Sequence, residues 1–92
     1  MNDTNFPKLF QQIVDVLDQE VHYYGLHVRG GIMHTKFEMY LEVERIDNKA
    51  IEKIEKVTGL YCYEMYNVQD YDETKDKTPN YIRIVFTNEN RR

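Results

Sequence analysis

Cysteine and tryptophan are scarce in this sequence, which contains one cysteine and no tryptophan. A single cysteine, Cys62, cannot form a disulfide within the chain, so the pattern is not that of a disulfide-stapled secreted scaffold. The first residues lack the basic segment and apolar run of a signal peptide. No apolar stretch approaches the roughly 20 residues that span a bilayer. These features predict a soluble, cytoplasmic protein with no membrane partner.

An excess of positive charge is also missing, because 12 lysines and arginines stand against 16 acidic residues, a net charge of −4. Net acidity argues against a binder of phosphate backbones, which would normally present a basic face. Hydrophobic residues at 41% and charged residues at 30% are typical of a soluble globular chain. We therefore predict one domain over residues 1–92, with residues 1–5 and 88–92 frayed.

Two helices are predicted by apolar residues at steps of three and four. The first runs from Phe6 to about Val21, after a group of N-cap oxygens. The second begins after Asp47 or Asn48 and ends at Gly59, which takes the position after the last helical turn. The residues that this second helix is expected to turn inward are Ile51, Ile54 and Val57.

Strict alternation of apolar and polar residues over positions 32–44 predicts a long strand with one buried face. The Gly-Gly pair at positions 30–31 suits a two-residue type I′ turn, which would make the preceding segment its hairpin partner. Apolar residues then share one face of the hairpin, as the hydrophobic pattern requires. The pairs that this turn predicts are Arg29 with Ile32, Val28 with Met33, His27 with His34 and Leu26 with Thr35.

Two further strands are predicted at residues 60–69 and 81–86, joined by a polar loop. In the third strand the predicted register turns Glu64 inward, which conflicts with its charge. Its expected buried residues are Leu60, Cys62, Tyr66 and Val68, and its expected open-face residues are Tyr61, Tyr63 and Met65. In the fourth strand Ile82, Ile84 and Phe86 are expected inward, and Tyr81, Arg83 and Val85 outward.

The predicted order of elements is therefore αββαββ, an α+β fold. Moving the first strand of a βαββαβ ferredoxin-like fold to the end of the chain gives the same order, so we predict a permuted ferredoxin-like arrangement. Right-handed connections then give a four-stranded antiparallel sheet with strand order 3-4-2-1 and both helices on one face. The other face of the sheet is left open.

No catalytic or metal-binding arrangement is predicted. Opposed His27 and His34 would be close enough to share a metal. A zinc site requires a third or fourth protein ligand. The cation Lys36, however, lies nearer to the pair than the carboxylate Glu38. Cys62 has no histidine beside it, which favours an inert thiol over a nucleophile. The acidic loop over residues 70–78 fails to match a calcium loop, because it lacks the glycine of the sharp turn and the bidentate glutamate. We predict a protein that is not an enzyme and has no cofactor.

The open sheet face is the best candidate for a binding surface. It combines tyrosine, methionine and arginine, the residue types enriched at protein interfaces. We therefore predict a small protein-interaction domain that uses this face for homodimerisation or for binding a partner protein. The predicted binding residues are Tyr61, Tyr63, Met65, Tyr81, Arg83, Val85, Lys36, Tyr40, His27 and His34.

Two other uses of the chain remain open. An open ferredoxin-like sheet with aromatic residues resembles the stacking platform of RNA-recognition domains, which implies single-stranded nucleic-acid binding. Net acidity, and a third strand without the basic, glycine-rich signature of those domains, make nucleic acid the less favoured partner. In this nucleic-acid alternative, bases would stack on Tyr61, Tyr63 and Tyr81, and Lys36 and Arg83 would contact phosphates. Alternatively an acidic inhibitor or regulator would use Glu38, Glu42, Glu44, Asp70, Asp72, Glu73 and Asp76.

Overall fold

A computed structural model describes residues 5–30, 35–69 and 80–89. The predicted element order is confirmed, and the sheet is antiparallel with strand order β1-β2-β4-β3, which is the predicted order read from the opposite edge. The elements are α1 (Phe6–Leu17), β1 (Tyr23–Arg29), β2 (Lys36–Val43), α2 (Asn48–Thr58), β3 (Tyr61–Gln69) and β4 (Asn80–Thr87).

Helix α1 begins as predicted but ends about one turn early. The Asn5 side chain accepts a hydrogen bond from the Lys8 amide at 3.0 Å, which satisfies one of the open donors of the first turn. The helix stops at Leu17 because Asp18 adopts a left-handed conformation with φ 50°. The predicted extension to Val21 is therefore wrong, although Val21 still packs against the core.

Helix α2 has the predicted caps, since Asp47 accepts from the Ala50 amide at 2.8 Å and Gly59 closes the helix with φ 75°. Its inward face differs at one position: Ile54 is buried, whereas Val57 is 46% exposed. Because each residue turns the helix by about 100°, Val57 lies about 60° beyond Ile54 on the far side of the buried stripe. The prediction that Val57 faces the core is wrong.

Both helices cover one face of the sheet and share one hydrophobic core with it. The Phe6 and Phe37 rings pack edge to face with their centres 5.0 Å apart, and the centres of the Phe10 and Tyr24 rings are 4.4 Å apart. The alternation predicted for the second strand is confirmed where the strand is described. The core comprises Ile13, Leu17, Phe37, Met39, Leu41, Val43, Ile51, Ile54, Leu60, Ile84 and Phe86.

The predicted two-residue turn between β1 and β2 is wrong. His27 pairs with Glu38 rather than His34, and Arg29 pairs with Lys36. The connection spans residues 30–35, and His34 lies outside the described residues. The register has moved by four positions, and because four is even each described side chain keeps its predicted face. A period-two pattern accepts any even shift, so the sequence pattern could not distinguish the two registers.

The register of β3 changes partway along the strand. Cys62 pairs with Phe86 but Glu64 pairs with Val85, so one extra residue is accommodated in a β-bulge. An extra residue reverses which side chains face the core beyond it. Met65 therefore pairs with Ile84 on the helix side, and Tyr66 lies on the open side; both predictions were the reverse. The same change puts Val68 on the open face and removes the conflict of an inward Glu64.

Residues 88 and 89, which the sequence predicted to be frayed, contact the start of β2, and residues 90–92 lie outside the described residues. The Asn88 side chain accepts from the Phe37 amide at 3.0 Å and donates to the Thr35 carbonyl at 2.9 Å. Glu89 forms an ion pair with Lys36 at 3.1 Å. These contacts attach the end of β4 to the start of β2.

Candidate functional site

The open face is the side of the sheet opposite the two helices. Residues that pair directly across antiparallel strands point to the same side of a sheet, so the registers define its members. These are Tyr23, Gly25, His27 and Arg29 of β1, Lys36, Glu38, Tyr40 and Glu42 of β2, Tyr81, Arg83, Val85 and Thr87 of β4, and Tyr61, Glu64, Tyr66 and Val68 of β3.

Arg83 organises one half of this face. Its Nε donates to Glu42 Oε2 at 3.0 Å, Nη2 donates to the same oxygen, and Nη1 donates to the Tyr66 hydroxyl at 3.4 Å. The guanidinium carbon lies 5.3 Å from the centre of the Tyr23 ring and 5.9 Å from that of Tyr66, which is cation–π range. The hydrogen bond to Glu42 raises the pKa of Arg83 above its already high ordinary value. The arginine is thus a fixed positive charge between two tyrosines.

Glu38 organises the other half. Its carboxylate accepts from Arg29 Nη2 at 3.1 Å and from the Tyr40 hydroxyl at 2.5 Å. That hydrogen bond, together with burial, raises the pKa of Tyr40, because an ionised phenol would lose the bond and face a carboxylate. Glu89 continues the network, with Arg29 at 3.5 Å and Lys36 at 3.1 Å. This end of the face is a chain of alternating charges.

Exposure separates residues that can contact a partner from residues that only fill the face. Tyr23 and Tyr63 are each 48% exposed, and Tyr66 is 39% exposed. Val85 lies on the predicted face but is only 1% exposed, and Thr87 is fully buried. Val85 is therefore packed within the sheet face, and its role in binding stays a prediction. The Tyr23 and Tyr66 rings around Arg83 form the accessible part of the open face.

The structure brings most of the predicted binding residues together. Tyr61, Tyr81, Arg83, Lys36, Tyr40 and His27 all lie on the open face. Met65 lies on the helix side, Tyr63 falls at the register shift of β3, and His34 lies outside the described residues.

Sequence reasoning missed Tyr23, Glu42 and Tyr66 as parts of the binding surface. The alternation that assigns Arg29 to the open face also assigns Tyr23 to it, so this residue could have been found. Glu42 was identified only as an acidic group, whereas it is largely buried under Arg83. No local signal revealed Tyr66, because its side depends on the bulge before it.

The cations of this face are already engaged. Arg29, Lys36 and Arg83 each lie within 4.0 Å of a carboxylate oxygen. A nucleic-acid phosphate would have to displace those carboxylates to bind them. Glu38 and Glu42 are equally occupied, so they do not form the exposed acidic row that an acidic inhibitor would use. The acidic loop residues Asp70, Asp72, Glu73 and Asp76 lie outside the described residues.

Metal ligands are not clustered in the part of the chain that the structure describes. Within it, no three His, Cys, Asp or Glu side chains lie close enough together to hold an ion. His27 faces Glu38, which is already bonded to Arg29 and Tyr40. Cys62 is half-buried, and its amide donates to Glu55 at 2.8 Å.

A separate groove of about 300 Å³ lies on the helix side, between the end of α1 and the start of α2. Its polar side chains serve the fold: Gln19 donates to the Arg45 carbonyl at 2.6 Å and accepts from the Glu44 amide at 3.1 Å. Asp47 caps α2. The groove is lined by Val16, Leu17, Gln19, Arg45, Ile46, Asp47 and Ala50.

Comparison with known proteins adds no assignment: no protein-family model matches the chain, and no curated protein or solved structure matches it significantly. Neither described helix is long and apolar enough to cross a membrane.

Proposed function

We propose that this chain is a small non-catalytic protein-interaction domain whose open sheet face binds a partner protein. The observation that carries the proposal is the accessible arrangement of Tyr23 and Tyr66 around Arg83. Tyrosine and arginine are enriched at the energetic centres of protein interfaces. Tyrosine contributes a large contact area with few rotamers to freeze.

The binding centre would be preorganised. Glu42 and the Tyr66 hydroxyl hold the Arg83 side chain in place, so little conformational entropy is lost when a partner packs on it. The ionic network of Glu38, Arg29 and Lys36 would form a polar border on one side. An aromatic centre with a polar border is the usual composition of a protein interface.

Charge supports a protein rather than a nucleic acid as partner. The cations of the described face are paired with nearby carboxylates. Nucleic-acid binding depends instead on cations that are free to neutralise phosphates and so release the counterions condensed on the nucleic acid. Fluorescence anisotropy with a random single-stranded oligonucleotide at low salt checks this. We expect no binding at about 100 μM, and saturable binding there would favour the nucleic-acid alternative instead.

A photo-crosslinking amino acid in the native host tests the proposal itself. Placed at Tyr66, it should capture one protein or a few, and the captured species should disappear when Tyr23→Asp is added. The matched control position is Val57, which is similarly exposed but lies on α2. Capture of the same species from both positions, or no protein capture from Tyr66, would contradict the proposal. A captured second copy of this chain would mean that the face is used for homodimerisation.

A further inference from the structure

The two edges of the sheet differ. Edge strand β3 contains the bulge between Cys62 and Glu64, a feature that discourages further strand pairing. Edge strand β1 keeps one uninterrupted register from Tyr23 to Arg29, and it contains no proline, lysine or acidic residue. Within the described residues nothing pairs with its outer side. Such a strand presents alternate backbone donors and acceptors to another strand.

The same strand carries an uncovered apolar stripe. On the helix side Leu26 and Val28 are 37% and 48% exposed, whereas their β2 partners Met39 and Phe37 are at most 2% exposed. Phe10 of α1 contacts Tyr24, near the start of the strand. The core thus extends sideways to an edge that the described helices do not cover.

This strand is complementary to a second copy of itself. Only a two-fold axis through Leu26 pairs all seven residues while keeping the helix-side residues together. With Leu26 on the axis, the pairs are Leu26 with Leu26, Tyr24 with Val28, Gly25 with His27 and Tyr23 with Arg29.

Charge also permits this pairing, despite the net charge of −4 on each copy. The strand Tyr23–Arg29 contributes no carboxylate, and its one permanent charge is Arg29. The two Arg29 residues would be about 20 Å apart across the axis, too far to repel strongly at ordinary ionic strength. Each would instead lie opposite the Tyr23 ring of the other copy, an attractive arrangement.

We propose that two copies of this chain associate through their β1 edges, forming a continuous antiparallel sheet of eight strands around a two-fold axis at Leu26. The apolar stripes of the two copies cover each other on the helix side. On the other side, the two open faces join into one surface, which leaves them available to a partner.

Sedimentation velocity over a concentration series tests the edge dimer. It compares the wild type with the variants Leu26→Lys and Met65→Lys. Both positions are exposed on the helix side of an edge strand, but Met65 lies on β3. A contact between two seven-residue edge strands buries little area and implies a weak dimer. We expect this dimer to predominate at about 500 μM and to dissociate on dilution. Leu26→Lys places two ammonium groups across the axis and should raise the dissociation constant at least about tenfold, with Met65→Lys within about twofold of wild type.

A monomeric wild type at that concentration overturns the proposal, as does a folded Leu26→Lys that dimerises like Met65→Lys. If circular dichroism shows Leu26→Lys to be unfolded, Val28→Lys takes its place. Disulfide trapping is the second measurement: Leu26→Cys with Cys62→Ala should give a covalent dimer, because paired Cα atoms lie within disulfide range. Met65→Cys in the same background should not. Failure of Leu26→Cys to crosslink where the protein dimerises also overturns the proposal.

The open-face variant Tyr66→Asp separates this interface from the proposed partner-binding face. We expect Tyr66→Asp to dimerise like wild type. A dimer that is lost in Tyr66→Asp but kept in Leu26→Lys would place self-association on the open face, which overturns the edge dimer and leaves the interaction face standing.

Discussion

The second half of strand β4, residues 84–87, is buried on both of its faces, but by different means. Ile84 and Phe86 lie under the two helices in the hydrophobic core. Val85 and Thr87, on the opposite side, are just as inaccessible, although no described helix lies there. Val85 is flanked instead by Tyr40 and Glu64 of the neighbouring strands. The helix face is closed by apolar packing, whereas the open face around Val85 is closed by long polar and aromatic side chains.

The largest expected contrast is between one aromatic residue on each face. Phe86→Ala should lower the free energy of unfolding by about 3–5 kcal/mol, because it leaves a cavity in a packed core. Tyr66→Ala should lower it by less than about 1.5 kcal/mol, since the ring is 39% exposed and its removal leaves no enclosed cavity. Urea denaturation of the two variants measures both values. Equal losses would mean that the open face is a second core.

The next largest expected change in the free energy of unfolding comes from replacing Arg83 on the open face. Arg83→Met leaves the largely buried Glu42 carboxylate without its cation, and we expect a loss of about 1–3 kcal/mol. Arg83→Met combined with Glu42→Leu should recover much of that stability, because an apolar pair can replace a buried ion pair. A double variant no more stable than Arg83→Met would mean that the uncompensated Glu42 carboxylate is not the source of the loss.

A smaller effect compares two valines of almost equal burial. Val43→Ala, on the helix face, should cost about 2 kcal/mol for two lost methyl groups. Val85→Ala, on the open face, should cost about 1 kcal/mol, because the long side chains around it can close over the space. Chemical denaturation gives both numbers. A larger loss for Val85→Ala would remove the distinction between a rigid face and an adaptable one.

The smallest expected effect on stability comes from the ionisation of Tyr40 and appears only at alkaline pH. Because the bond to Glu38 raises the pKa of Tyr40 above its ordinary value of about 10, the neutral phenol is favoured in the folded state. Its contribution to stability is complete below pH 10 or so and is lost as the pH rises through the folded pKa. The difference in phenolate absorbance between wild type and Tyr40→Phe follows this titration. Glu38→Gln should move it to lower pH, and Glu52→Gln, on α2, should leave it unchanged.

Sequence alone identified both helices and all four strands, because each rests on periodicity and local capping. The strand order followed from the rule of right-handed connections. Asp47 and Gly59 cap α2 as predicted. The alternation of β2 put Phe37, Met39, Leu41 and Val43 in the core. These are properties that a segment of ten or so residues carries in itself.

The site was predicted less well because it combines residues from four strands. Tyr66 was expected in the core and Met65 on the open face, and one bulge reversed both. His27 kept its predicted open face despite the register error in the hairpin, because the error was an even number of residues. The faces of Lys36, Tyr40 and Arg83 followed from the alternation of their own strands. Val85 had the right face but the wrong exposure, since its neighbours close over it.

By itself, the sequence determined which segments become helices or strands and, where alternation was unbroken, which side chains face the core. Only the tertiary structure decided that Arg83 sits between Tyr23 and Tyr66, that His27 meets Glu38, and that the β1 edge stays uncovered. The physical reason is that local periodicity fixes the direction of a side chain but not its cross-strand neighbour. That neighbour depends on register, and register is settled by packing between segments distant in the chain.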